Sequence, residues 1–243
     1  VSLSLSLGAQ GRLVHWCAAA AFVLLGLLFL LVYRNAPRHK EATQAETATA
    51  NAGLYRTPLL WIFGAVLLLY VGVEFSIGSW TTSFMSISAG LSIEKGALVT
   101  SAYWGFLTLG RLFGIFISKK LSAVQLLGTS VIGALLGGVA FLLLTGSTAP
   151  VIAAVMGIGF FFGAIFPTTV SLTTAAFPNH QGKAVSLVSA MSSIGGLALP
   201  WLGGVLLEKG GATVFSIYAV VIIGLLVLFF TLIRRSLGKI REQ

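Results

Sequence analysis

Seven apolar runs, each about as long as a bilayer core is thick, leave this chain very few ways to fold. A hydrocarbon core of about 30 Å takes roughly 20 apolar residues per helix. Runs of that length lie at 13–33, 58–82, 97–118, 123–145, 150–174, 184–206 and 212–233. None shows the ten-residue alternation of a membrane barrel strand, and lipid offers no partner to a bare backbone amide. Each run is therefore expected to satisfy itself as a helix. Of the 243 residues, 57% are hydrophobic and 9% charged, against about 25% charged in a soluble domain. One soluble core of this size could not hide so much apolar surface. The expected class is all-α integral membrane.

The formal charge of +9 sits almost entirely between the apolar runs, so it points to membrane orientation and not to nucleic acid. Segments after the first, third, fifth and seventh runs hold Arg34, Arg38, Lys40, Arg56, Lys119, Lys120, Lys183, Arg234, Arg235, Lys239 and Arg241, while the opposite side holds Arg12, Lys95 and Lys209. Short loops with this bias are cytoplasmic. The expected topology is multi-pass in the plasma (inner) membrane, with this chain's N-terminus outside and its C-terminus inside. The start "VSLSLSLGAQGR" lacks the basic opening of a signal peptide.

Four segments follow: an N-terminal remnant with one helix (1–33), a polar cytoplasmic linker (34–57), a six-helix bundle (58–234) and a tail (235–243). The bundle's short loops require neighbouring helices to run antiparallel. Cys17 is the single cysteine, and His15, His39 and His180 are scattered. No metal site and no cofactor are expected.

One acid breaks the pattern. "PLLWIFGAVLLL" carries no charge, yet the continuation "YVGVEFSIGSW" places Glu74 near the middle of its run. An acid at mid-bilayer costs about 2.5–3.5 kcal/mol on insertion scales, so it faces the bundle interior or water. Tyr70, Glu74, Gly78 and Thr81 share a helical face. That face can line a polar cavity, with a carboxylate for hydroxyl donors and a ring for an apolar sugar face. A buried acid can also exchange protons, and it can equally serve as a fixed hydrogen bond between helices.

Arg111 is the basic residue within a run. Counting 1.5 Å per residue from the outer ends sets it about 9 Å nearer the cytoplasm than Glu74. A direct ion pair is then expected to be stretched, and Arg111 to snorkel inward as a gate or anchor. Thr100, Trp104, Thr108 and Arg111 share its face and can border the cavity. Pro167 should kink its helix, with Thr168, Thr169 and Ser171 placed to satisfy freed backbone groups. Trp80 is open to two readings, interfacial belt or stacking platform.

The block after the linker has internal order. Its first and fourth helices, "YVGVEFSIGSW" and "GFFFGAIFPTTVSLTTAAFP", have polar or proline-broken middles at matching positions. That pattern points to a 3+3 inverted repeat of the transporter type. One helix, a long inner linker and six more helices ending inside resemble helices six to twelve of the major facilitator superfamily. "LGRLFGIFISKKLS" is similar to that superfamily's GR-x-x-G helix end and basic turn, here Gly110, Arg111, Gly114, Lys119 and Lys120, with Ser118 where an acid is usual. Gly72, Glu74, Gly78, Trp80, Gly163, Pro167, Thr168, Gly195, Gly196 and Pro200 resemble the fucose–proton symporter branch and its relatives.

The resemblance implies the C-terminal half of a twelve-helix secondary transporter, not an enzyme. Its partners would be a small polar solute such as a sugar, protons, the lipid bilayer and a missing N-terminal half. The candidate solute or proton contacts are Glu74, Tyr70, Trp80, Trp104 and Thr108. Gating roles fall to Arg111, Gly114, Lys119, Lys120, Pro167 and Pro200. In that branch acidic coupling residues also lie in the other half. An ion gradient would supply the energy, since no phosphate-binding G-x-x-x-x-G-K-[ST] motif occurs. Seven spans also match a heptahelical receptor, although the last run has no lysine for a retinal Schiff base.

Overall fold

The computed structural model describes residues 11–33 and 53–241. The chain divides into two units, residues 1–52 and 53–243. Most of the expected linker and the last two residues of the tail lie outside the described residues. In the first unit, helix α1 (Gly11–Tyr33) is apolar from Trp16 onward, and its large side chains from Trp16 to Leu31 are exposed.

The second unit contains α2 (Pro58–Ala89), α3 (Ile93–Ile117), α4 (Ala123–Leu143), α5 (Thr148–Phe162), α6 (Ile165–Ala176), a 3-10 turn (Pro178–His180) and α7 (Gln181–Arg241). Gly211, at φ 73° and ψ −171°, breaks α7 into α7a (181–210) and α7b (212–241). Every described regular element is helical. Among the described residues, the stretches Pro58–Ala89, Ala123–Leu143, Thr148–Ala176 and Pro178–Gly238 are long and apolar enough to cross a membrane. The last of these contains the Gly211 break.

Local chemistry sets the ends. Pro58 opens α2 where its missing N–H costs nothing, and Gly90, left-handed at φ 62°, closes it by donating to the Met85 carbonyl. Ser92 caps α3. Ser122 and Gln125 form a reciprocal capping box that starts α4. Just before α2, residues 53–57 fold onto this unit: Leu54 is buried, and the Trp61 indole donates to the Tyr55 carbonyl at 2.8 Å.

The expected single helix over 150–174 is two helices, α5 and α6, interrupted at Gly163 and Ala164. The cause lies one turn later. Pro167 has no N–H to offer, and its ring crowds the carbonyl of Gly163. At this break the Phe162 carbonyl instead accepts the Tyr70 hydroxyl at 3.0 Å. Thr169 donates within its own helix to Ile165 at 2.8 Å.

Packing follows the apolar pattern. α7 lies along α2, α3 and α4 flank α5, and α4 also meets α7. Phe84, Phe141 and Phe215 fill the centre, with Phe84 and Phe141 ring centroids 4.5 Å apart. Large apolar side chains such as Leu112, Phe116, Leu136 and Leu143 cover the outside, as expected where lipid is the solvent.

α3 crosses the α5–α6 break at backbone contact. A Cβ on Gly110 would overlap the Phe160 carbonyl, and one on Gly163 would overlap the Leu107 carbonyl and the Arg111 amide. Gly163→Val should therefore destabilise the purified protein by about 1–3 kcal/mol in detergent thermal unfolding. Gly157→Val, with nothing within 4 Å of its added Cβ, should leave the transition in place. Equal melting of both variants would show that the crossing tolerates separation.

Candidate functional site

An open crevice of about 530 Å³ runs between α2, α3, α6 and α7a. Glu74, Phe75, Trp104, Arg111, Pro167 and Ser192 line it. The wall is built upward from the glycine crossing just described. Gly110 brings α3 onto α5, and the next residue, Arg111, projects past α6 toward α2. On α2, the Glu74 backbone carbonyl accepts the Tyr103 hydroxyl at 3.0 Å, which pins this turn of α2 to α3.

Arg111 Nη2 donates to Glu74 Oε1 at 3.5 Å. The Glu74 side chain is only 5% exposed while the Arg111 side chain is 52% exposed. This corrects the stretched separation expected from axial counting. Side chains lean toward the N-terminus of their own helix. α2 and α3 are antiparallel, so Glu74 and Arg111 lean toward each other and close the gap. The contact is long for a charge-assisted hydrogen bond, and one partner is open to solvent. The pair is loose on one side.

The sequence-selected residues separate into distinct environments. Trp104 faces the crevice, packed edge-on against Phe75 at 5.7 Å. Its indole lies over Gly78, where a Cβ would overlap the ring. Tyr70 is fully buried, with its hydroxyl committed to Phe162. Thr81 is buried and donates to its own helix at Ile77. The expected cavity face of α2 is thus packed at Tyr70, Gly78 and Thr81 and borders the crevice at Glu74, which is itself buried. Thr108 is exposed and donates to the Trp104 carbonyl at 3.0 Å.

Trp80 stands apart from the crevice, its indole N–H donating to the Pro200 carbonyl at 2.7 Å. Arg111 and Pro167 also border a second groove of about 350 Å³ that reaches Gly114, Ser118, Thr168 and Ser171. Lys119 and Lys120 are exposed beyond it.

Four lining residues, Val71, Phe75, Phe166 and Ser192, escaped the sequence reading of this site. Phe75 and Phe166 sit inside apolar runs where any phenylalanine resembles a lipid-facing one. Ser192 is one of several small residues in its run, with nothing in the sequence to single it out. The one available signal was adjacency, since Phe75 follows Glu74 and Phe166 precedes Pro167.

A double-mutant cycle tests the pair. Glu74→Gln, Arg111→Gln and the double variant should show a coupling of about 1 kcal/mol in denaturant unfolding of the purified protein. Strict additivity would mean that the two groups do not interact.

Comparison with known proteins gives this geometry a context. Residues 96–243, more than half of the chain, match the family model described as Major Facilitator Superfamily. The chain is similar to a glucose/galactose transporter of Brucella abortus biovar 1 (strain 9-941), at 26% identity over 204 residues. That match covers 82% of this chain and 48% of the relative. It is also similar to the human sodium-dependent glucose transporter 1, at 26% identity over 188 residues, covering 77% of this chain and 36% of the relative. A crystal structure of the transporter FucP in the outward conformation superposes with a TM-score of 0.73 at 17% identity. It covers 88% of this chain and 52% of the FucP chain. The chain spans about half the length, or less, of these proteins, which are transporters and not enzymes. With its multi-pass apolar helices and this family match, the chain belongs to the Major Facilitator Superfamily.

Proposed function

We propose that this chain is the C-terminal half of a secondary transporter that moves a sugar by alternating access, coupled to protons. In this reading α1 is the sixth helix of the complete protein. The two arms of α7, the paired α5–α6 and α2, α3 and α4 supply six further spans as a 3+3 inverted repeat. The chain's N-terminus lies outside the plasma membrane, its C-terminus lies in the cytoplasm, and residues 34–57 bridge the two halves on the cytoplasmic side. The absent half closes the other side of the crevice.

The observation that carries the reading is the loose Glu74–Arg111 pair on an aromatic-walled crevice. A sugar needs an apolar surface for its C–H face and charged groups for its hydroxyls. Trp104 and Phe75 offer the first, Glu74 and Arg111 the second. Protonation of Glu74 removes the charge that holds Arg111, freeing the guanidinium for solute or for the groove toward Ser118. That exchange would link a proton to the direction in which the half-bundle opens. Gly114, Lys119, Lys120, Pro167 and Pro200 are the remaining conformational candidates. Pro167 stands at the shared edge of crevice and groove, and Pro200 stands where Trp80 grips α7a.

One observation favours a different ion: the human relative is named as sodium-dependent. The same experiment separates the two. The complete transporter, in liposomes, should accumulate labelled D-glucose or D-galactose under an inward proton gradient. Glu74→Gln should reduce accumulation by about tenfold or more, equivalent to ~1.4 kcal/mol, while downhill exchange persists. Uptake driven by sodium and indifferent to the proton gradient would replace the coupling ion. Full proton-driven accumulation by Glu74→Gln would remove that residue from the mechanism.

A further inference from the structure

A second opening lies farther along α2, and the crevice reading does not use it. It measures about 460 Å³ and shares no lining residue with the Glu74 crevice. This volume falls within the usual range for small-molecule pockets, about 300–1,000 Å³. Its walls are the C-terminal turns of α2 and α7a, with Trp80, Ser83, Trp201 and Glu208 as the residues with recognisable chemistry. Trp80 follows Glu74 by six residues, about 9 Å along the helix axis.

We propose that this mouth is a second carbohydrate site, taking a pyranose between Trp80 and Trp201 with Glu208 and Ser83 on its hydroxyls. The assignment rests on the sugar reading above. Trp80 is a prepared wall. Its N–H is committed to the Pro200 carbonyl at 2.7 Å, and Gly204 has no Cβ to lift the ring from α7a. The indole is thereby left with a fixed π surface as its offer to a ligand. Trp201 is 71% exposed, so its indole can close on an arriving ring without being pulled from a packed core. A sugar presents an apolar C–H face beside polar hydroxyls, and paired indoles with a carboxylate and a hydroxyl meet both.

A lipid chain would suit the indoles but not Glu208, since an acid is costly against hydrocarbon. A site about 9 Å farther along the α2 axis than Glu74 would hold solute before it reaches Glu74 or after it leaves.

The test uses the complete transporter in lipid nanodiscs, with radiolabelled D-galactose and D-glucose in equilibrium binding. Wild type should show two classes of site. Trp201→Ala should weaken one class about tenfold, and Trp201→Tyr, which retains a ring, should restore it. Glu208→Gln should weaken the same class. The other class should respond to Glu74→Gln alone, which keeps the two readings separable. A single class lost in Glu74→Gln and unmoved by Trp201→Ala would overturn the second site while leaving the proposed function standing. Loss of co-purifying phospholipid in Trp201→Ala, with sugar binding unchanged, would assign the mouth to lipid and overturn it equally. Failure of wild type to bind either sugar would overturn both.

Discussion

The crossing of α3 over the α5–α6 break places most of the other functional features. It depends on two missing side chains, at Gly110 and Gly163, which let two backbones touch. Residue 111 follows directly, and so does the reach of its guanidinium to Glu74. The break itself comes from Pro167, whose lost N–H would leave the Gly163 carbonyl without its helical donor in a medium without water. The neighbouring Phe162 carbonyl, at the last residue of α5, accepts the Tyr70 hydroxyl. A residue that looked like a ligand contact is thus occupied in keeping a broken helix satisfied.

The same demand organises the rest of the polar inventory. Ser76, Thr81, Thr169, Thr173 and Ser216 donate to carbonyls four residues back in their own helices, the usual resort of a hydroxyl away from water. Around Pro200 the helix receives two outside donors. Trp80 of α2 binds the Pro200 carbonyl, and Tyr218 of α7b binds the Leu199 carbonyl at 2.8 Å. Tyr218 is also within 3.1 Å of Ser76 on α2. These contacts clasp α7a between its neighbours at its proline. Beside that clasped region, the Phe84, Phe141 and Phe215 cluster gives the bundle a rigid centre. Outside it, the half-exposed side chain of Arg111 is the charge that reaches Glu74.

Much of the architecture was legible because lipid imposes a simple rule. Long apolar runs must be helices, and the positions of Pro58, Gly90, Ser92 and Ser122 mark their ends with ordinary capping chemistry. Pro167 announced a disturbance, but not that Gly163 would take the break one turn earlier. The site was legible in part. Glu74 stood out because an acid in a long apolar run carries a cost that needs a reason. Phe75 and Phe166 did not, because a phenylalanine facing a crevice and one facing lipid have the same surroundings in sequence. The Glu74–Arg111 contact was misjudged for a geometric reason. Counting rise along an axis ignores the lean of side chains, and in antiparallel helices the two leans add.

By itself, the sequence determined the helical class, the family resemblance and the presence of one costly acid, since each follows from composition, run length or residue identity along the chain. Tertiary structure decided which face of α2 opens, which aromatic rings stand beside Glu74, and that Arg111 reaches it. Those outcomes depend on where two backbones approach closely enough to touch, and contact between residues 37 positions apart has no signature in the periodicity of either helix.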